Sequence, residues 1–227
     1  MKKKILIIGN NEGLPGVKVD MQNYKTFFKS QNGGEWYDDE IIEKLNPGKE
    51  EILTLLDKLK QQQLDYLVVI FSGHGGQGRE TVLELNGSDY LSESRLHDLA
   101  VRQLNIFDCC RAFSPALLEG ARNRLELKAR SYFSTREKFE RRISEAIPQM
   151  ARLYACKEGE VAQDTSEGGA YSKNLIYAAI SNVEYTTVGV AHMRAAEQTS
   201  AVYGNQHPEA ILPRCLSGQE LIIGVRP

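Results

Sequence analysis

Two stretches of this chain contain no polar residue: Ile5-Leu6-Ile7-Ile8 and Leu67-Val68-Val69-Ile70-Phe71. Each stops abruptly, the first at Gly9-Asn10 and the second at Ser72-Gly73-His74-Gly75-Gly76. A strand with one face in water alternates polar and apolar residues, so an unbroken aliphatic run belongs to a strand covered on both faces, as in a parallel sheet. Neither run approaches the roughly 20 apolar residues needed to cross a bilayer. Parallel neighbours cannot be joined by a tight turn, so helical crossovers are expected between such strands.

The rest of the pattern supplies them. Residues 103–107 (QLNIF) form a third run that stops at Asp108-Cys109-Cys110, and weaker strands are expected at 40–45, 152–156 and 220–225. Ile52, Leu55, Leu56 and Leu59 fall at helical spacing behind Asn46-Pro47-Gly48, and Tyr24, Phe27 and Phe28 mark another helix. Ser92 is expected to cap a helix burying Leu96 and Leu99, and Ser172 one burying Leu175, Ile176, Ala179 and Ile180. The alternation predicts an α/β fold with a central, mostly parallel sheet of about six strands, whose ligand sites lie beyond the carboxyl ends of the strands. His74 and Cys110 fall there.

The 227 residues read as one domain, 1–227, with an insertion at about 114–149. It opens at Ser114-Pro115 and is helical in character. Between 122 and 142 it carries Arg122, Arg124, Lys128, Arg130, Arg136, Lys138, Arg141 and Arg142 against Glu126, Glu137 and Glu140. Over the whole chain, 28 Lys and Arg against 30 Asp and Glu leave no basic field, which argues against a nucleic-acid partner. The opening Met1-Lys2-Lys3-Lys4 precedes only four apolar residues, too few for the core of a signal peptide, and no membrane partner is expected. Four cysteines, two of them adjacent, with no metal-ligand spacing to any histidine, point to free thiols in a cytoplasmic protein without metal or cofactor.

If the strands ending at Phe71 and Phe107 are neighbours, His74 and Cys110 meet at one sheet edge. An imidazole beside a thiol favours the thiolate, and attack on a carbonyl then needs N–H donors for the oxyanion. Gly75, without a Cβ, can bring its amide close, and the Cys110 amide is the second candidate. The residues alone leave open which of Cys109 and Cys110 reacts. They also leave open whether Asp20 caps a helix and Asp108 a loop.

The segments Phe71-Ser72-Gly73-His74-Gly75 and Asp108-Cys109-Cys110-Arg111-Ala112 resemble the two catalytic motifs of the caspase and metacaspase clan of cysteine peptidases, closest to its prokaryotic metacaspase-like catalytic domains. The resemblance extends to Gly9-Asn10 with Leu14-Pro15-Gly16-Val17-Lys18-Val19-Asp20, to the stretch Tyr154-Ala155-Cys156-Lys157-Glu158-Gly159-Glu160-Val161-Ala162, and to Gly168-Gly169-Ala170-Tyr171-Ser172. It implies a three-layer α/β/α sandwich and a cofactor-free endopeptidase with Cys110 as nucleophile, His74 as general base and acid, and the Gly75 and Cys110 amides as oxyanion hole. Cys109 would face the core. In the metacaspase branch, aspartates matching Asp20 and Asp108 line the pocket that selects Arg or Lys before the scissile bond, and paired carboxylates suit a guanidinium.

Two features depart from that branch. Arg111 stands where metacaspases usually have His, and 36 residues separate His74 from Cys110, fewer than the roughly 50 of caspases. A compact hairpin around Asn86-Gly87 would account for the shorter interval. The resemblance further implies a zymogen activated by a protease or regulatory partner, with Arg124, Lys128, Arg130 or Arg136 as cut sites, and, by analogy, a setting in bacterial defence. Glu35, Asp38, Asp39 and Glu40 cluster without calcium-loop spacing, so no calcium site is expected. The competing readings are a non-catalytic caspase-like interaction scaffold and a protease with another preference before the scissile bond.

Overall fold

A computed structural model describes residues 1–112, 134–180 and 183–227. In chain order it contains β1 (Lys3–Gly9), α1 (Gly16–Lys29), β2 (Ile41–Leu45), α2 (Lys49–Gln61) and β3 (Leu64–Gly73). An antiparallel excursion, β4 (Gly75–Gln77), β5 (Thr81–Glu84) and β6 (Tyr90–Ser92), leads into β7 (Ala100–Cys109). Then come α3 (Thr135–Glu145), β8 (Gln149–Tyr154), the short pair β9 (Asp164–Thr165) and β10 (Gly168–Gly169), and α4 (Ala170–Ala179). The chain continues with β11 (Tyr185–Thr187), α5 (Val188–Val202), β12 (Glu209–Ile211) and β13 (Ile222–Val225). Among the described residues no helix is long and apolar enough to cross a membrane.

The central sheet has six strands in the order β12-β8-β7-β3-β1-β2. Five run parallel, and β12 lies antiparallel on β8 at one edge. The two all-apolar runs pair directly, Ile5 opposite Val68 and Ile7 opposite Ile70. Some expectations fail in detail: the helix expected behind Ser92 is a single 3₁₀ turn, Glu93–Leu96, that ends before Leu99, and Ile222–Val225, expected as the sixth strand, instead pairs antiparallel with β11 in a separate ribbon. The sixth place goes to Glu209–Ile211. That stretch lies on the sheet's edge with Ile211 half exposed, so it lacks the apolar run that marks a strand covered on both faces.

Strand geometry divides the core in two, because successive side chains point to opposite faces. Ile5, Ile7, Val68, Ile70, Leu104 and Ile106 face α1, α3, α4 and α5. Leu6, Ile8, Leu67, Val69, Phe71 and Phe107 face α2 and the β5–β6 ribbon. α2 presents Ile52, Leu56 and Leu59 to that second face, each fully buried apolar side chain contributing roughly 1.5–3 kcal/mol. The result is the three-layer α/β/α sandwich. The ribbon turns through Asn86-Gly87 as expected: Leu85 N–H donates to Asp89 O at 2.8 Å, and Asn86 Oδ1 accepts from the Ser88 and Asp89 amides, both at 3.0 Å.

Most of the expected basic insertion, including Ser114-Pro115, Arg122, Arg124, Lys128 and Arg130, lies outside the described residues. Its carboxyl-terminal part is α3, which is packed rather than loose: Phe139 and Ile143 are buried in the first core. Glu35 Oε2 accepts from the Thr135 and Arg136 amides at the start of α3, at 2.7 and 3.1 Å. Arg136 donates to both carboxylate oxygens of Glu40 at 2.8 and 2.7 Å. The acidic cluster at 35–40 is thereby occupied in holding α3, and Asp38 pairs with Lys29.

Candidate active site

The register of β3 on β7 sets the site. Ser72 pairs with Asp108 and Gly73 with Cys109, so His74 and Cys110 leave the sheet side by side at its carboxyl edge. Asp108 continues the face of Leu104 and Ile106, whereas Cys109 joins Phe107 and Tyr154 in the opposite core. Burial pushes the Cys109 thiol well up, which leaves it protonated and inert. Cys110 is half-buried and lines an open cleft of about 650 Å³ shared with His74, Asp20, Asp108 and Asp164.

His74 Nε2 lies 2.5 Å from the Glu12 carbonyl oxygen. A carbonyl only accepts, so Nε2 carries the hydrogen, and in the neutral tautomer Nδ1 keeps the lone pair. The Cys110 thiol makes its hydrogen bond to the Ala162 carbonyl at 3.8 Å rather than to the imidazole.

Gly75 is placed by ladder geometry. Glu84 N–H donates to His74 O and Gly78 N–H to Glu80 O, so the Gly75–Leu83 pair between them occupies a position without cross-strand hydrogen bonds. The Gly75 N–H therefore points out of the ribbon. Two residues on, along the same edge, Gln77 N–H reaches Ala112 O at 3.3 Å, which shows that this edge faces the segment after Cys110. A Cβ on Gly75 would lie 2.7 Å from Cys109 Sγ, so only glycine permits the approach.

Asp20 and Asp108 are brought together, each at least 95% buried. Asp20 sits in the second turn of α1, not in its first, so it is no helix cap; its carboxylate accepts from Ser72 Oγ at 2.7 Å and the Gly169 amide at 2.9 Å. Asp108 is the penultimate residue of β7 and accepts from the Ser172 amide at 3.0 Å. Ser172 therefore does not cap its helix: α4 begins at Ala170 behind Gly169, and Ser172 lies inside its first turn, its hydroxyl accepting from Tyr24 at 3.0 Å. Gly168 has φ +103°, and a Cβ there would stand 2.1 Å from Asp20 Oδ1, so the β10 backbone closes the pocket over the carboxylates. Burial raises both carboxyls, Asp20 further through Asp108.

A third carboxylate, Asp164, is absent from the expected site residues. It lies in β9, beyond the carboxyl end of β8, accepts from the Gly16 amide at the start of α1 at 3.1 Å, and is raised by burial. The topological rule that sites gather past the strand ends was the one signal that reached it. Lys and Arg are missing from the described residues that line the cleft. Among the described residues no group of three or more His, Cys, Asp or Glu is arranged to hold a metal ion.

Arg111, the departure from the metacaspase pattern, is buried behind the site. It pairs with Glu158 and Glu209, both at 3.1 Å, and stacks over Tyr154, tying the segment after Cys110 to β5, to β12 and to the loop after β8. A comparison with protein families matches the Caspase domain model over residues 2–210. No curated protein matches the chain.

Proposed function

Since the chain belongs to the caspase-domain family of cysteine peptidases, we propose that it is an endopeptidase cutting after Arg or Lys, with Cys110 as nucleophile and His74 as general base and acid. One observation carries the specificity: three carboxylates, Asp20, Asp108 and Asp164, share a cleft with His74 and Cys110, and no Lys or Arg lines that cleft among the described residues. Charge-assisted hydrogen bonds would hold a guanidinium or ammonium there, and an acidic side chain would meet only repulsion.

In the reaction, the Cys110 proton passes to His74 Nδ1 while Nε2–H stays on the Glu12 carbonyl. Sulfur attacks the substrate carbonyl carbon, and the oxyanion receives the Gly75 and Cys110 amides. The carbon–nitrogen bond breaks as His74 returns its proton to the leaving amine. Water, deprotonated by His74, then hydrolyses the thioester and restores the thiol. Activation by cutting within the insertion belongs to the same proposal, at Arg124, Lys128 or Arg130; Arg136 drops out because α3 and Glu40 hold it. A fully active sample of unchanged mass would overturn that part.

Fluorogenic peptides with Arg, Lys, Asp or Leu before the scissile bond test the main reading. Turnover after Arg and Lys is expected, falling by about 10²–10⁴ in His74→Ala and vanishing in Cys110→Ala. Efficient hydrolysis after Asp with none after Arg would refute it.

A further inference from the structure

The resting thiol is held in its neutral form by its surroundings. Its S–H points at the Ala162 carbonyl, an acceptor that would repel a thiolate. Burial raises the thiol, and Asp108 at the end of β7 and Asp164 on β9 add to the effect. The other charged or titratable groups around the cleft are also acidic: Asp20 from α1, Glu12 from the loop after β1, and Glu84 from β5. Cys109 and Cys156 lie behind as buried neutral thiols. Arg111 is adjacent in sequence, but its guanidinium is turned to Glu158 and Glu209. Among the described residues lining the cleft, His74 alone can carry positive charge.

Resting on the endopeptidase reading above, we propose that the substrate's own cation switches on the nucleophile: a guanidinium or ammonium seated among Asp20, Asp108 and Asp164 allows the Cys110 proton to move to His74 Nδ1. The proton balance is internal. The S–H bond breaks, the Nδ1–H bond forms, and the incoming positive charge offsets the carboxylates that had disfavoured a thiolate beside them. The pocket then discriminates at the chemical step as well as in binding, because a neutral isostere that fills it leaves the thiol protonated.

The test is the pH profile of Cys110 alkylation by iodoacetamide, a neutral reagent, on the full chain carrying Cys215→Ser to remove the other accessible thiol. Butylguanidinium, which has no scissile bond, serves as the cation, and uncharged pentanamide as the isostere. Saturating butylguanidinium is expected to move the alkylation midpoint down by about one pH unit, hence about tenfold faster labelling below it, and pentanamide to leave it unmoved. Asp164→Asn should label faster without any cation and respond less to it, while Asp164→Glu, which keeps the charge, should keep a downward shift of the midpoint with the cation. Butylguanidinium that inhibits Arg-peptide hydrolysis competitively yet leaves the midpoint unchanged would overturn the switch and spare the specificity. Absence of any binding would overturn both.

Discussion

Two clusters of buried charge stand at opposite ends of the same sheet, and they are built on opposite rules. At the amino ends of the strands, Lys3 Nζ is fully enclosed 3.3 Å from Glu140 and 3.7 Å from Glu40, and Arg136 reaches the same two carboxylates at 3.0 and 2.7 Å. Cation and anion are matched there. Burial pushes Glu40 up, but Arg136, the Tyr37 amide and Lys3 more than reverse it and leave the carboxyl lowered. At the carboxyl ends, Asp20 and Asp108 are buried as deeply with hydroxyl and amide donors alone, and both are raised. Matched charge fixes a fold; in the proposed reading, the unmatched carboxylates of one sign are the half of an interaction that a cationic substrate would complete.

The largest expected effect is at the matched end. Glu40→Ala leaves Lys3 and Arg136 to share Glu140 alone and should cost about 2–3 kcal/mol, lowering the melting temperature by roughly 5–10 °C. A loss below about 1 kcal/mol in calorimetry would erase the contrast. At the unmatched end the effect moves from stability to activity. Asp108→Asn should lower kcat/KM on Arg peptides by about 10–100-fold, the weight of one charge-assisted hydrogen bond, with no loss of stability at pH 8. A destabilised Asp108→Asn would mean that this carboxylate holds the fold.

The difference between the clusters also explains what could be read in advance. The buried strands were legible within a few residues, because a strand covered on both faces must be apolar throughout, and α2 was legible through its three- and four-residue spacing. His74 and Cys110 were legible because polar residues directly after such strands have one place to go. Asp164 was not: it follows Gln163 and precedes Thr165 in a polar stretch without period, and only folding seats it on the Gly16 amide. Ser172 looked like a cap because serine favours that position, but Gly169 took the role and Ser172 was spent on Asp108. The exchange of Ile222–Val225 for Glu209–Ile211 in the sheet has the same origin, since hydrophobicity reports burial and not the partner.

Acidity should separate the clusters by sign. Asp20 binds its proton more tightly folded than unfolded, so its contribution is full below the ordinary carboxylate range and is lost as pH rises through its raised folded value. Asp20→Asn should therefore gain on the parent as pH climbs from 4 to 8, by at most about 1.4 kcal/mol per unit. Glu40 runs the other way: its contribution is present above the ordinary range and is lost as pH falls through its lowered value, so the deficit of Glu40→Gln should shrink toward acid. Urea midpoints across pH 3–8 measure both, and parallel slopes would show the two clusters to be one kind of site.

The smallest effect probes the boundary between the two rules. The Tyr24 hydroxyl donates to Ser172 Oγ, and Ser172 in turn stabilises the ionised form of Asp108 through its hydroxyl and amide. Ser172→Ala keeps the amide, loses the hydroxyl and leaves the buried Tyr24 without its acceptor, on the order of 1 kcal/mol. Asp108 then ionises less readily, so the acid limb of kcat/KM should move to higher pH by less than one unit, with full activity recovered above it. Recovery at high pH distinguishes a tuned carboxylate from a distorted pocket, in which activity would stay low across the whole profile.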